Sequence, residues 1–148
     1  MNSSIYSNEL GLFTFNEITN NYENHESKIH WSLNSSNLDD AKRLLIIAEK
    51  FFTSIDEKAR VSVATNMIHY KNDFWPEYDE NDPTLNWDEV DAGEYDITKE
   101  KFATSISLYD VEISGNEIYC EFHDGDLFGG HRIHATFDHC LDLLEASI

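Results

Sequence analysis

Between His123 and His139 the chain gathers the side chains best able to hold a cation or move a proton: His123, Asp124, Asp126, His131, His134 and His139, spaced by Gly125, Gly129 and Gly130. Three chemistries come to mind. Glycines let backbone amides approach a phosphate, but this run has no strand-to-helix context and no suitably placed lysine, and two aspartates would repel the anion. Calcium fits no better, because the spacing departs from an alternating series of oxygen ligands. A divalent metal bound by Asp124, Asp126 and His131, with His134 beside them, suits zinc or iron in ligand type. On an extended strand, however, His131 and His134 point to opposite faces, and only one can join a common site without a bulge. The expectation is therefore a hairpin turn with solvated aspartates and His131 hydrogen-bonded to the turn. A metal-assisted hydrolytic site there stays open as the alternative. No serine sits in a nucleophile elbow and no Cys–His pair has a recognisable spacing, so neither catalysis nor a cofactor is expected.

A second stretch suggests binding. Between Lys71 and Lys99 every charged side chain is Asp or Glu, with both prolines and an interleaved set of aromatic rings. Trp75, Tyr78, Asp79, Glu80, Asp82, Trp87, Asp88, Glu89 and Asp91 combine anchoring rings with charge that would steer a basic protein. The bland alternative is that Trp75 and Trp87 pin a long loop onto the core while the carboxylates face water. Residues 72–98 read as an irregular acidic excursion, with a helical turn near Leu85 to Val90.

Ten Lys plus Arg against 29 Asp plus Glu give a net charge of −19, which disfavours nucleic acid and anionic membranes as direct partners. No apolar run approaches a membrane span, and Met1 to Glu9 carries no apolar leader segment, so a cytoplasmic location is expected. In that setting Cys120 and Cys140 are expected as buried thiols. With 148 residues and 41% apolar content, the chain should fold as a single domain, 1–148.

The elements that must position these residues follow from periodicity. Residues 1–8 are polar and expected to fray. Leu10–Phe15 reads as a strand with Phe13 and Phe15 on one face. Asn16–Glu26 reads as a turn, and Ile29, Trp31 and Leu33 share a face of a second strand, making a hairpin. Ser35-Ser36-Asn37 offers N-cap chemistry for a helix whose apolar positions run Ala41, Leu44, Leu45, Ala48, Phe51, Phe52 and Ile55. Asp56 caps a second helix through Ala59, Val63, Met67 and Tyr70, packed on the first as a helical hairpin. Thr98 caps a short helix through Phe102. A strand over Ile106–Ile113, with a slip in register, leads through Ser114-Gly115-Asn116 to strands carrying Ile118, Cys120, Phe122 and then Ile133, Ala135, Phe137. Leu141–Ile148 could be helix or edge strand. The sum is α+β: an antiparallel sheet of about five to six strands with the helix pair on one face.

Leu10-Gly-Leu-Phe-Thr-Phe15 near the start and Phe122-His-Asp-Gly-Asp-Leu-Phe-Gly-Gly-His-Arg-Ile133 near the end resemble the bacterial domain of unknown function 2262 family. Its closing motif is similar to Asp-Gly-Asp-Leu-Phe-Trp-Gly-His. Gly129 stands here in place of the tryptophan, and the tail lacks the family's closing glycine. The resemblance implies a small α+β domain, similar to immunity proteins that accompany toxins in polymorphic or contact-delivered (type VI) secretion systems. The partner so implied is a cognate toxin or effector protein; a structural homo-oligomer is the remaining alternative.

Overall fold

Apolar side chains that alternate along short strands can all be buried if helices cover one face of a single sheet, and the chain takes that solution. The computed structural model describes residues 4–75 and 96–148. Strands β1 (Ser4–Ser7), β2 (Gly11–Asn16), β3 (Asn21–Asn24) and β4 (His30–Leu33) precede helices α1 (Leu38–Ser54), α2 (Arg60–Phe74) and α3 (Lys99–Ser105). Strands β5 (Ser107–Ile113), β6 (Ile118–His123), β7 (Ile133–Phe137) and β8 (Leu143–Ser147) follow. Eight strands form one sheet in sequence order, more than the five to six expected. The sheet is mixed: β4 and β5 pair in parallel, with His30 beside Asp110 and Leu33 beside Ile113, while the other neighbours are antiparallel. A parallel pair needs a long crossover, and the connection from β4 to β5 carries α1, α2 and α3.

Two strands lie where none was expected. Ser4–Ser7, expected to fray, pairs with β2 as the sheet edge, and its Ile5 is buried. Asn21–Asn24, read as part of a turn, is a strand that separates β2 from β4, so these two do not form a hairpin. Both segments lack the alternating apolar signal because single residues, Ile5 and Tyr22, supply their apolar burial. Elsewhere the faces follow the period: Trp31 and Leu33, Ile118, Cys120 and Phe122, and Ile133, Ala135 and Phe137 are all buried. The register slip in β5 is a bulge at Tyr109, between the Leu108–Phe122 and Asp110–Glu121 pairs. The final segment is edge strand β8.

The helix pair also differs from expectation. Asn37 caps α1, its Oδ1 accepting from the Asp40 amide at 2.9 Å. At the far end the backbone stays right-handed through a π-helical turn, Ile55–Ala59, directly into α2. No glycine or proline interrupts it, so Asp56 starts no new helix and instead pairs with Arg60 at 2.7 Å. The result is one continuous helical path rather than a hairpin. Its first half packs on β4 and β5, and its second on β8 and α3. Phe51 reaches the centre, with its ring centroid 6.5 Å from Trp31 and 5.3 Å from Phe137; Phe52, expected inward, is 38% exposed. Thr98 caps α3 as expected, through its Oγ1 and the Lys101 amide. Asn72 ties the ends of the acidic segment together, accepting from the Ile97 amide at 3.0 Å and donating to its carbonyl at 3.1 Å.

Replacing Phe51 with Ala should cost about 3–5 kcal/mol, because a fully buried ring is lost between two aromatic neighbours. Urea unfolding should show a lower midpoint with an unchanged slope.

Candidate functional site

The Gly-rich turn is built by its own aspartate. Asp124 is buried, and its carboxylate accepts from the amides of Asp126 at 3.1 Å, Phe128 at 2.9 Å and Gly130 at 2.9 Å. Gly125 adopts φ +60°, and a Cβ there would run into the Ser105 carbonyl. Asp126, also at positive φ, and His131 are exposed. Phe128, fully buried, anchors the turn. The Trp75 ring meets Phe128 edge-on at 5.8 Å and His131 at 5.6 Å, and a Cβ on Gly129 would lie 3.3 Å from it. Trp75 is thus partly buried against the turn, with its carbonyl accepting from buried Lys71 at 2.9 Å. Of the other residues picked from the acidic stretch, Tyr78, Asp79, Glu80, Asp82, Trp87, Asp88, Glu89 and Asp91 lie outside the described residues, as does the turn expected near Leu85 to Val90.

A different set of polar residues converges on the face of the sheet opposite α1. Parallel and antiparallel pairing lines up His30 with Asp110, Asp110 with Glu121, and Glu121 with His134 across four neighbouring strands. His30 Nδ1 lies 3.0 Å from Asp110 Oδ1. On the other side of His30, Nε2 lies 3.4 Å from Glu23 Oε1, and the ring stacks on His25 at 4.3 Å between centroids. Glu23 is buried; Asn16 donates to its Oε2 at 2.6 Å, and His25 Nε2 is 3.8 Å from the same oxygen.

At the other end of the row, Tyr109 donates to Glu121 Oε2 at 2.8 Å and Tyr119 to Oε1 at 3.0 Å. His134 Nδ1 stands 2.7 Å from the Tyr119 hydroxyl and 3.1 Å from Glu121 Oε1. Burial alone would raise Glu121, but the two phenol hydrogen bonds, with His134 and Arg132 nearby, hold its carboxyl below the ordinary range. The same contacts act oppositely on the phenols. Burial, then hydrogen bonding to a carboxylate, pushes Tyr109 and Tyr119 up to about 12. Tyr109 is further sandwiched between His123, stacked at 4.3 Å, and Arg132, 5.0 Å above its ring. Chemically the row offers a fixed anionic acceptor beside hydroxyl donors and two imidazoles, suited to binding cationic groups or a metal. One of the two thiols expected to be buried, Cys120, lies beneath this face, and burial pushes its thiol up; Cys140 is instead exposed.

Sequence reading had marked only His134 of this row, and for a different site. Glu23, His25 and His30 lie within one short stretch, but Asp110 and Glu121 lie far along the chain from them and join them only through strand pairing. The available signal was chemical: the outward positions of strands with apolar inward faces carry His and Glu, where a solvated face ordinarily uses Thr or Lys.

This chain belongs to DUF2262, a family described as "uncharacterized protein conserved in bacteria", whose profile matches residues 7–148. No curated protein and no solved structure matches it. Among the described residues, no helix is long and apolar enough to cross a membrane.

Two outcomes follow from the geometry. Asp124→Ala strands the three amides of the turn and should destabilise the fold by about 1–3 kcal/mol, with Asp124→Asn costing less because one acceptor oxygen survives; thermal unfolding measures both. In an ultraviolet titration, Tyr109 and Tyr119 should ionise near pH 12, and Glu121→Gln should bring both midpoints down. A phenol raised in the folded state stabilises the fold below its ordinary value of 10.0 and loses that contribution as pH climbs towards 12. Stability should therefore fall across that alkaline window, and fall less in the Gln variant.

Proposed function

With membership of this bacterial family as the starting point, we propose that the protein is an immunity-like binding protein, neutralising a cognate basic toxin by direct contact without catalysis. The observation that carries this reading is the charge of −19, set on a fold in which, among the described residues, the helices pack on one face of the sheet. A toxin inhibitor must capture its target quickly, and a strong negative field raises the association rate of a cationic partner. The cytoplasm is the compartment in which such capture protects the producing cell.

The contact residues proposed are Tyr78, Asp79, Glu80, Asp82, Trp87, Asp88, Glu89 and Asp91. Trp75 is the exception, because its ring is engaged with Phe128 and His131 of the same chain. Supporting the absence of chemistry at the Gly-rich turn, the Asp124 oxygens are already occupied by backbone amides.

Co-expression with the product of the adjacent open reading frame tests the proposal. Rescue of growth, together with a complex surviving purification, is the expected result. Reversing charge at Asp79, Glu80, Asp82, Asp88 and Glu89 should slow association by at least about tenfold at low salt and flatten its salt dependence. Unchanged capture and unchanged salt dependence in that variant would refute the interface. A homodimer on size-exclusion chromatography, with no capture, would favour the oligomer instead.

A further inference from the structure

We propose that Glu23, His25 and His30 form a binding site for a zinc-class divalent metal ion, with Asp110 as the residue that orients His30. The inference is independent of the toxin-binding reading. Among the described residues this is where three metal-ligating side chains come together: one carboxylate oxygen and the two imidazole nitrogens all lie within 4.8 Å of one another. Ligands bound to zinc at about 2.0–2.1 Å in a tetrahedron stand roughly 3.3–3.5 Å apart. His30 Nε2 is already 3.4 Å from Glu23 Oε1, and His25 Nε2 is 3.8 Å from Glu23 Oε2. Closing the set requires the His25 ring, 68% exposed and free to turn, to rotate towards the other two ligands.

Tautomer logic points the same way. Asp110 Oδ1 sits 3.0 Å from His30 Nδ1, so that nitrogen carries the proton and donates it. Nε2 is then left with a lone pair. That atom is buried and has no hydrogen-bond partner, although a carboxylate oxygen faces it. An acceptor facing an acceptor in a buried spot needs a cation between them, either a proton or a metal ion. The carboxylate–imidazole–metal arrangement, in which the second nitrogen donates to an acid, is the usual outer-sphere support of a histidine ligand.

Glu23 supplies the second argument. It is only 7% exposed, and among the described residues its ion pairs are to the two histidines and to no Lys or Arg. Its orientation is set by Asn16 at 2.6 Å and Ser32 at 3.5 Å. His25 stacks on His30 with 18° between planes, so the exposed His25 ring must tilt out of that stack for its lone pair to meet an ion held by His30 and Glu23. Two imidazoles and a carboxylate suit zinc by ligand type. The cluster borders an open depression of ≈480 Å³ lined in part by Thr14, Asn16, Glu23 and His25. A fourth coordination position would therefore be open to water or to a small ligand.

The test uses the untagged full chain, stripped with chelator and titrated calorimetrically with zinc chloride. One ion per chain is expected, and cobalt should give the visible absorption of a four-coordinate site. His25→Ala is the cleanest ligand variant, since that side chain is 68% exposed and the fold does not depend on it. His25→Ala and His30→Ala should each abolish stoichiometric binding, with far-ultraviolet circular dichroism unchanged in the former. Asp110→Asn should keep the stoichiometry of one but weaken affinity about 10–100-fold. His131→Ala, on the Gly-rich turn, should bind as the parent does. Absence of stoichiometric binding, binding that survives His25→Ala unchanged, or loss on His131→Ala instead would each overturn the assignment.

Discussion

The parallel pairing of β4 with β5 is the constraint from which the rest of the molecule follows. Parallel neighbours cannot be joined by a tight turn, so everything between them must cross over a face of the sheet. Here that passage carries α1, α2 and α3, and α1 packs on the side presented by Trp31, Leu33, Val111 and Ile113. The same pairing decides what happens on the reverse side. Residues brought level on the helix face have neighbours brought level on the open face, and His30 comes to rest beside Asp110. Without that one pairing the N-terminal strands with Glu23 and His25 would have no fixed relation to the strands that carry Glu121 and His134.

The open face is held together by donors rather than by opposite formal charges. Asp110 and Glu121 are direct cross-strand neighbours, an arrangement that repels when both are ionised. It is tolerated because each acid has its own partners: His30 for Asp110, and Tyr109, Tyr119 and His134 for Glu121. The bulge at Tyr109 is part of this solution. By inserting one residue it places Tyr109 and Asp110 together on the outer side, so a phenol and a carboxylate can both address β6. A regular strand would have turned one of them into the core.

Much of the fold was legible because burial imposes period two on strands and periods of three and four on helices. The inward faces of β4, β6 and β7, the Asn37 and Thr98 caps and the β5 irregularity could all be read this way. The strands missed, β1 and β3, share one physical cause: polar residues did the work usually done by apolar ones. In β3, Asn24 is buried because its amide donates to the Leu10 carbonyl at 2.6 Å, and Glu23 because Asn16 and Ser32 satisfy it. Such burial leaves no hydrophobic trace. The polar row on the sheet went unread for a related reason. A local run rich in Asp, Gly and His attracts notice, yet at Asp124 it encodes turn geometry, whereas the row His30, Asp110, Glu121 and His134, drawn from four strands, has no local signature.

The two functional readings rest on interactions of different range. Capture of a cationic protein draws on the summed field, which at physiological ionic strength is screened over about 8 Å. A metal held by Glu23, His25 and His30 would depend on lone pairs within bonding distance, where salt has little influence. An ion there would also add positive charge to the acidic face, next to Asp110 and within the same polar row. Its occupancy would lower the potential a basic partner meets on that side while leaving the acidic segment between Lys71 and Lys99 untouched. Site and field would thus be coupled by sign: metal on the sheet face works against recognition there. A partner drawn to the protein with its metal bound would then be guided mainly by the acidic segment.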